Sequence, residues 1–311
     1  MRTLGCGAGL VLERGRLATP TLISRTTHHQ EPSKTLGLTC RPVDERLAAN
    51  LASWNDRAGI HLESQFYDVE GWIRDQRGPS AREIQVLGNV AGLRLLHLQC
   101  HFGLDTLAWA RAGAQVTGLD FSPAAIDAAR DIADRAGLAD RADFVCANVY
   151  DAVDVLDGAA FDIVYVSLGA LSWLPSVDRW ASQVAALVAP GGRFYLHEVH
   201  PVAWSLADDE LRFQHTYFEE PEPFTIETDE TYTDANRPLR AKRIYEWNHS
   251  IGEVVTALIR HGLRLDWLVE HDWTVWPRFP WLVKTDEGQW TPPPGVPRAP
   301  LSFSLLATRP S

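Results

Sequence analysis

Residues 94–120 contain the sequence feature that most constrains the fold of this chain. Their sequence, RLLHLQCHFGLDTLAWARAGAQVTGLD, opens with the apolar run 95–98 and turns at Gly103. It continues through a segment of helical spacing to a second apolar run that ends at Asp120. This order predicts a strand, a tight turn, a helix and a second strand, which together make a βαβ unit. Such a unit places a helix N-terminus and one acidic side chain around a cofactor that carries adenosine.

The rest of the chain continues this alternation of strands and helices. Ser122-Pro123 predicts the start of a helix, because a serine cap followed by proline suits the first turn, and Gly137 predicts its end. Strands that alternate with helices are typical of a parallel sheet, so the pattern indicates an α/β fold. The apolar patterns predict strands at 94–99, 115–119, 142–147, 161–167, 193–198, 264–270 and 301–308, and further helices at 105–112, 176–188 and 250–261.

Two segments differ from this pattern. Residues 1–42 are mainly polar and predict a flexible N-terminal tail, which leaves 43–311 as the folded domain. Apolar residues at helical spacing indicate that the domain begins with a helical cap at 43–90. After Pro201, alternating stretches at 213–218, 224–232 and 243–247 predict an antiparallel β meander, inserted at about residues 201–248.

Composition narrows the class of partner and the compartment. The chain has 45% hydrophobic and 22% charged residues, which is ordinary for a folded protein, and no apolar run approaches the roughly 18 to 20 residues that span a bilayer. A net charge of −11 without a basic cluster disfavours nucleic acid as a partner. The four cysteines are scattered without a Cys-x-x-Cys pair, so we expect a reduced, cytoplasmic compartment and no metal site.

The turn at Gly103 and the carboxylate of Asp120 are the first candidate binding residues. Backbone N–H groups at the start of the next helix can approach a ligand closely, because Gly103 has no side chain. Asp120 can accept two hydrogen bonds from a ribose diol, and it can also cap the helix that follows Ser122. The turn has one glycine where a pyrophosphate-binding turn has G-x-G-x-x-G, so a cofactor without phosphates suits it better than a dinucleotide.

Five segments in order make the chain recognisable. They are LLHLQCHFG (95–103), VTGLDFSPAAIDAAR (116–130), ADFVCANVYD (142–151), FDIVYVSLGALSWL (161–174) and VAPGGRFYLHEVHPV (188–202). Together they resemble the motifs of class I S-adenosylmethionine-dependent methyltransferases, in particular the bacterial small-molecule type, and the resemblance extends over about 54–308. It implies a Rossmann-like seven-stranded sheet with helices on both faces and an antiparallel strand 7. It also implies S-adenosylmethionine as the cofactor.

The resemblance implies roles for individual residues. Asp120 would hold the ribose hydroxyls, with Phe121 beside the adenine, and Asn148 and Val149 would meet the adenine edge. Tyr67, with Trp54, would close the pocket from the N-terminal helical cap. The residues implied around the methionine and ribose of the cofactor are Gln99, Cys100, His101, Gly103, Ser167 and Leu168.

Four positions depart from the family's pattern. His97 stands where the family often has an acid, and we interpret it as a buried core histidine. Gln99 and His101 replace glycines. Asn148 replaces a common aspartate, although its amide oxygen can still accept a hydrogen bond from an adenine amine. These departures predict weaker cofactor affinity with the same mode of binding.

Methyl transfer requires alignment of the nucleophile, the methyl carbon and the sulfur, and it needs a base only when the acceptor holds a proton of high pKa. His197 and His200, at the end of the strand predicted at 193–198, are the candidate bases. Seven of the twelve tryptophans lie from Trp204 onward. They predict an aromatic wall that suits a small aromatic or apolar acceptor, or else they pack the insertion onto the core.

Three alternatives stay open beside a small-molecule methyltransferase. They are a methyltransferase for a peptide or protein, an NAD-binding oxidoreductase, and a non-catalytic binding protein of the same fold. The segment Ser167-Leu168-Gly169-Ala170 takes the place of an N/D-P-P-Y/F motif, which argues against DNA adenine or protein glutamine methylation. We expect a monomer or a homodimer.

Overall fold

A computed structural model describes residues 44–233 and 237–311, so the tail predicted at residues 1–42 lies outside the described residues. The helices are α1 (Glu45–Leu62), α2 (Val69–Arg74), α3 (Ala81–Leu87), α4 (Leu104–Arg111), α5 (Pro123–Ala136), α6 (Ala152–Val155), α7 (Val177–Leu187), α8 (Pro201–Ser205) and α9 (Ile251–Arg260). The strands are β1 (Arg94–Leu98), β2 (Gln115–Asp120), β3 (Ala142–Cys146), β4 (Phe161–Val166), β5 (Val188–Val199), β6 (Phe224–Glu227), β7 (Arg243–Glu246), β8 (Arg264–His271), β9 (Val283–Lys284), β10 (Trp290–Thr291) and β11 (Ser302–Thr308).

A seven-stranded sheet in the order β3-β2-β1-β4-β5-β11-β8 forms the centre of the domain. The first five strands in this order pair in parallel, whereas β11 is antiparallel to both β5 and β8. The predicted Rossmann-like sheet with an antiparallel last strand is therefore confirmed. Because the parallel strands share one direction, their carboxyl ends all meet at one edge of the sheet.

Helices cover both faces of the sheet, as predicted. Leu95 of β1 packs in one cluster with Leu87 of α3 and Trp109 of α4, while the next residue, Leu96, packs in another with Trp180 of α7. Successive strand residues point to opposite faces, so a strand buried on both sides is apolar throughout. None of the helices in residues 44–233 and 237–311 combines the length and hydropathy that crossing a bilayer requires.

The insertion after β5 is antiparallel, but only two of the three predicted strands pair. β6 and β7 form a two-stranded hairpin, and residues 213–218 are not a strand. The N–H groups of Gln214 and His215 both donate to the carbonyl of Ser205, at 2.8 and 3.1 Å. This segment therefore curls around the end of the short helix α8, which the sequence pattern did not predict.

Candidate active site

The carboxyl ends of β1, β2, β4 and β5 open into a cavity of about 1550 Å³. Parts of α1, α3, the insertion and residues 273–289 cover it. A pocket for one small ligand typically measures about 300–1,000 Å³, so this cavity has room for a cofactor and an acceptor together. All eleven predicted cofactor residues line it: Tyr67, Gln99, Cys100, His101, Gly103, Asp120, Phe121, Asn148, Val149, Ser167 and Leu168.

The turn between β1 and α4 has an unusual backbone. Gln99, His101 and Gly103 all have positive φ angles, of 58°, 53° and 77°. A Cβ on Gly103 would lie 2.7 Å from the ring of Phe144, so this position excludes any side chain. Left-handed backbone costs non-glycine residues about 1–2 kcal/mol, and such strain concentrates at functional sites.

The carboxylate of Asp120 lies at the end of β2 and faces this turn. Its two oxygens accept hydrogen bonds from the backbone N–H groups of His101 and Ser122, each at 2.9 Å. Burial raises the pKa of Asp120 to about 6, with these hydrogen bonds opposing the shift. A carboxylate has about four lone-pair sites, so these bonds do not exhaust its capacity to accept, and Asp120 also lines the cavity.

His101 connects the turn with the covering elements. Its Nε2 lies 3.3 Å from Nδ1 of His61 on α1, and Nε2 of His61 lies 2.7 Å from the hydroxyl of Thr231 in the insertion. The hydroxyls of Tyr67 and Tyr232 are hydrogen-bonded to each other beside this pair. Burial lowers the pKa of His61 to about 2 and that of His101 to about 3, so both rings are neutral at pH 7.

The loop after β4 is held by a residue for which the sequence reasoning proposed no fixed role. Glu198 of β5 is buried, and its carboxylate accepts hydrogen bonds from the N–H groups of Gly169, Ala170 and Leu171 at 2.6, 2.7 and 2.9 Å. The side-chain amide of Gln99 donates to the carbonyl of Ala170 at 2.8 Å. These contacts fix the backbone that carries Ser167 and Leu168 into the cavity.

His97 connects β1, β4 and α4 from below the cavity. Its Nδ1 lies 2.8 Å from the hydroxyl of Thr106, and its Nε2 lies 3.1 Å from that of Ser167. Burial lowers the pKa of His97 to about 3, so the ring is neutral. This environment fits the interpretation of His97 as a buried core histidine.

Asn148 and Val149 follow β3 and line the cavity, as does Phe121. The side-chain oxygen of Asn148 accepts a hydrogen bond from the N–H of Tyr150 at 3.0 Å. Val149 is buried in the core beside Leu119. The side chain of Asn148 thus stabilises the turn after β3, and this residue also lies at the cavity wall.

The structure separates the two predicted bases. Nε2 of His197 is buried without a hydrogen-bond partner, its side chain lines the cavity, and burial lowers its pKa to about 3. His200 lies outside the cavity lining. It caps α8, because its Nδ1 accepts from the N–H of Val202 at 3.1 Å, while its Nε2 lies 2.8 Å from the carboxylate of Glu270.

Two cysteines lie within the described residues, and both are free. Cys100 is buried with Phe144 and Phe102 in a core cluster, although it also touches the cavity, and Cys146 is exposed. In residues 44–233 and 237–311 no group of three or more histidine, cysteine, aspartate or glutamate side chains is arranged to hold a metal ion.

Several cavity residues escaped the sequence reasoning because they come from distant segments. They have polar or aromatic side chains, but no short motif joins them. The helical pattern of α1, which contains Arg57, is a signal that could have pointed to one of them. These residues are Arg57, Arg82, Glu83, Asp105, Trp173, Tyr195, Tyr232, Glu246 and Arg278.

Comparison with known proteins agrees with this geometry. Residues 96–194, which run from within β1 to within β5, match the family model described as a methyltransferase domain. This match agrees with the resemblance of the five sequence motifs to class I S-adenosylmethionine-dependent methyltransferases. The domain shares its fold with a structure described as a putative S-adenosylmethionine-dependent methyltransferase from Listeria monocytogenes. The two are 19% identical in sequence with a TM-score of 0.51, and the alignment covers 74% of this chain and 96% of that one. A SAM-dependent methyltransferase from Methanosarcina mazei aligns at 18% identity and a TM-score of 0.50, over 75% of this chain and 99% of that one.

Two of the curated relatives of this domain share a name. The ubiquinone biosynthesis O-methyltransferase of Nitrobacter winogradskyi is 36% identical over 111 residues, which are 36% of this chain and 40% of that protein. The protein of the same name from a Methylobacterium species is 30% identical over 171 residues, which are 52% of this chain and 64% of that protein. The chain therefore spans less than two thirds of the length of these relatives, and the similarity is limited to the shared domain.

Proposed function

We propose that this protein binds S-adenosylmethionine and transfers its methyl group to a small-molecule acceptor. The observation that carries the proposal is the position of Asp120, whose carboxylate lies at the edge of the cavity beside the strained turn of His101. The family match over residues 96–194 supports the identity of the cofactor. The acidic, aromatic-rich cavity supports a small molecule rather than nucleic acid as the acceptor.

The residues present fit the adenosyl part of the cofactor. The carboxylate of Asp120 would accept from the ribose hydroxyls, and charge-assisted bonds of this kind contribute about 1.5–3 kcal/mol each. Phe121 and Val149 would contact the adenine ring, and the amide of Asn148 would meet its edge. Burial of these apolar groups would add to the binding free energy.

Polar acceptor groups also line the cavity where the methionine part of the cofactor would lie. The buried side-chain oxygen of Gln99 has no hydrogen-bond partner within the described residues, and Gln99 lines the cavity. Asp105, in the first turn of α4, is open to the cavity and hydrogen-bonded to Ser167. Its poor solvation there and the nearby Glu83 raise the pKa of Asp105 to about 6. These acceptors suit the ammonium group of a bound amino acid.

The chain's own part in the chemistry is orientation and exclusion of water. When bound, the sulfonium supplies an already activated methyl group, so alignment of the reactants accounts for much of the rate, up to roughly 7–11 kcal/mol in favourable cases. Tyr67 and Tyr232 close the cavity over the turn, and Trp54 and Trp173 contact each other edge to face at 5.1 Å beside them. His197 stays a predicted base, since its neutral ring has an unpartnered Nε2 at the cavity wall.

Ligand binding followed by a transfer assay tests this proposal. Isothermal titration calorimetry should show binding of S-adenosylhomocysteine, and thermal unfolding should shift upward with it but not with NADH. Radiolabelled S-adenosylmethionine should then pass its methyl group to small phenols or amines and not to an unstructured peptide. Stabilisation by NADH alone would favour the oxidoreductase alternative, and a lack of binding at millimolar concentration would favour a non-catalytic protein.

A further inference from the structure

One side of the cavity forms an aromatic compartment between α1, the insertion and the loop after β4, which we call the acceptor chamber. Trp54 and Trp173 make an aromatic corner on one wall, and Arg57 lies with its guanidinium 5.8 Å above the ring of Trp54. Flat aromatic walls favour flat, apolar ligands. The chamber is lined by Trp54, Arg57, Trp173, Trp204, Tyr232, Glu246, Trp276 and Arg278.

Glu246, the last residue of β7, is held rigidly in this chamber. The preceding residue, Tyr245, exchanges two hydrogen bonds of 2.8 Å with the side-chain amide of Asn50 on α1. The following residue, Trp247, donates from its N–H to the carbonyl of Ser172 at 2.8 Å. Ser172 belongs to the loop after β4, so these contacts place Glu246 beside the backbone that follows Ser167 and Leu168.

The carboxyl group of Glu246 has no bound partner within residues 44–233 and 237–311. No hydrogen bond or ion pair there engages it, although it lines the cavity. Two cations act electrostatically on it: Arg57 of α1 and Arg278 of the loop after β8. Arg57 donates to Ser53 and Thr231, and Nε of Arg278 is buried without a partner, so a polar ligand group has both an acceptor and a donor here.

We propose that Glu246 binds the hydroxyl group of an aromatic acceptor and removes its proton during methyl transfer. This inference rests on the proposed function and names the acceptor class as a flat ring with a phenolic hydroxyl. The O–H bond breaks towards the carboxylate of Glu246, the phenolic oxygen bonds to the methyl carbon, and the carbon–sulfur bond breaks to leave a neutral thioether. Arg57 and Arg278 disfavour a cationic acceptor and stabilise the negative charge that develops on the oxygen.

The acid–base properties of the chamber agree with this role. Burial raises the pKa of Glu246 to about 7, while Arg57 and Arg278 oppose the shift. A general base works best when its pKa lies near the working pH, whereas His197, with its pKa lowered to about 3, is a much weaker base. The pKa of Tyr232, which also faces the chamber, is raised to about 12, so Glu246 titrates there alone near neutrality.

The test uses catechol as the phenolic probe and 1,2-dimethoxybenzene as its counterpart without a hydroxyl. Binding of each is measured by calorimetry to the intact protein saturated with S-adenosylhomocysteine. Methyl transfer to catechol is measured against pH, with S-adenosylmethionine saturating so that the titration of Asp105 and Asp120 does not limit cofactor binding. The variants are Glu246→Gln, Glu246→Leu and the control Glu227→Gln, which removes an exposed ion pair with Arg243 on the same hairpin.

We expect the wild type and Glu227→Gln to bind catechol at least tenfold more tightly than dimethoxybenzene, and Glu246→Leu to lose that preference. Glu246→Gln should lower kcat at least a hundredfold and abolish the rise in rate between pH 6 and 8. All variants should bind S-adenosylhomocysteine equally. A wild type without preference for catechol, or a kcat and pH profile unchanged in Glu246→Gln, would overturn this inference. Failure of S-adenosylhomocysteine to bind the wild type would instead overturn the proposed function.

Discussion

The side-chain amide of Asn50 on α1 pairs with both the N–H and the carbonyl of Tyr245 on β7, each at 2.8 Å. Asn50 thus acts as one more residue of a strand at the edge of the β6–β7 hairpin, and it is buried. The pairing fastens the insertion to the N-terminal helix over the cavity. The acceptor chamber therefore depends on two segments almost 200 residues apart in the chain.

Asn50→Ala should loosen this covering structure. Loss of two hydrogen bonds should lower the free energy of unfolding by about 2 kcal/mol, measured by urea denaturation. Affinity for S-adenosylhomocysteine should change little, because the cofactor residues lie on the sheet edge, while methyl transfer should slow. Ala52→Ser on the exposed side of α1 is the control. Equal losses in cofactor affinity and in transfer rate would contradict this separation.

Asp120→Ala should weaken S-adenosylhomocysteine binding at least tenfold, since about two charge-assisted hydrogen bonds to the ribose are lost. In Asp120→Asn one oxygen stays, so the loss should be intermediate. Calorimetry gives both affinities, and circular dichroism checks that the turn at His101 is still folded. Unchanged affinity in the alanine variant would show that the ribose is held by other residues.

Glu198→Ala should be among the most destabilising single substitutions in the domain. It leaves the N–H groups of half-buried Gly169 and of buried Ala170 and Leu171 without an acceptor, and we expect a loss of at least roughly 4 kcal/mol in the free energy of unfolding. Glu198→Gln keeps one acceptor oxygen and should lose about half as much. Urea denaturation compares them. A loss under about 1 kcal/mol would mean that the loop finds other partners.

Gly103→Ala should destabilise the turn for two reasons that a second variant separates. The positive φ costs alanine about 1–2 kcal/mol, and the added Cβ overlaps the ring of Phe144, which costs about 1–3 kcal/mol more. Phe144→Leu should relieve only the second effect, so the double variant should lose less stability than the sum of the single variants. If the stability losses of the two single variants add up to that of the double variant in thermal unfolding, the ring of Phe144 is not what excludes a Cβ at Gly103.

Stability should fall as the pH is lowered from 6.5 to 5, in part because of His97. Its folded pKa of about 3 lies below the unfolded value of 6.5, so the unfolded state binds the extra proton in this window and gains stability. One buried neutral histidine accounts for about 1.4 kcal/mol per pH unit. His101 and His197, whose pKa values are also lowered, contribute to the same loss of stability as the pH falls. Asp105 and Asp120, whose pKa values are raised, oppose this loss.

His97→Asn tests the contribution of this one ring. The free energy of unfolding, measured in urea at several pH values, should fall less steeply for the variant than for the wild type between pH 6.5 and 5. If the free energy of unfolding falls as steeply with pH in the variant as in the wild type, the pH dependence arises from groups other than His97.

The order of strands and helices was readable from the sequence because its signals are local. Ser122 caps α5, Pro123 occupies the first turn and Gly137 ends the helix in a left-handed conformation, all as the sequence predicts. The insertion was harder to predict, since alternation at 213–218 is compatible with a strand. Its backbone instead bonds to Ser205, a partner that no pattern within the segment reveals.

The candidate cofactor residues were predictable for the same reason. Gly103 and Asp120 stand at fixed distances from strand ends, and parallel strands carry such residues to one edge of the sheet wherever the chain folds this way. The surroundings of the two predicted bases were not predictable. His197 and His200 are three residues apart, yet one lines the cavity and the other caps α8.

The sequence alone determined the sheet, its helices and the edge at which a cofactor would bind, because hydrophobic period, caps and turn glycines act over a few residues. Only the tertiary structure decided that Asn50 fastens the insertion, that Glu198 holds the loop after β4, and that Glu246 lies within the electrostatic reach of Arg57 and Arg278. Those contacts join segments far apart in the chain. Burial and electrostatic environment arise from such long-range packing, and no local pattern encodes them.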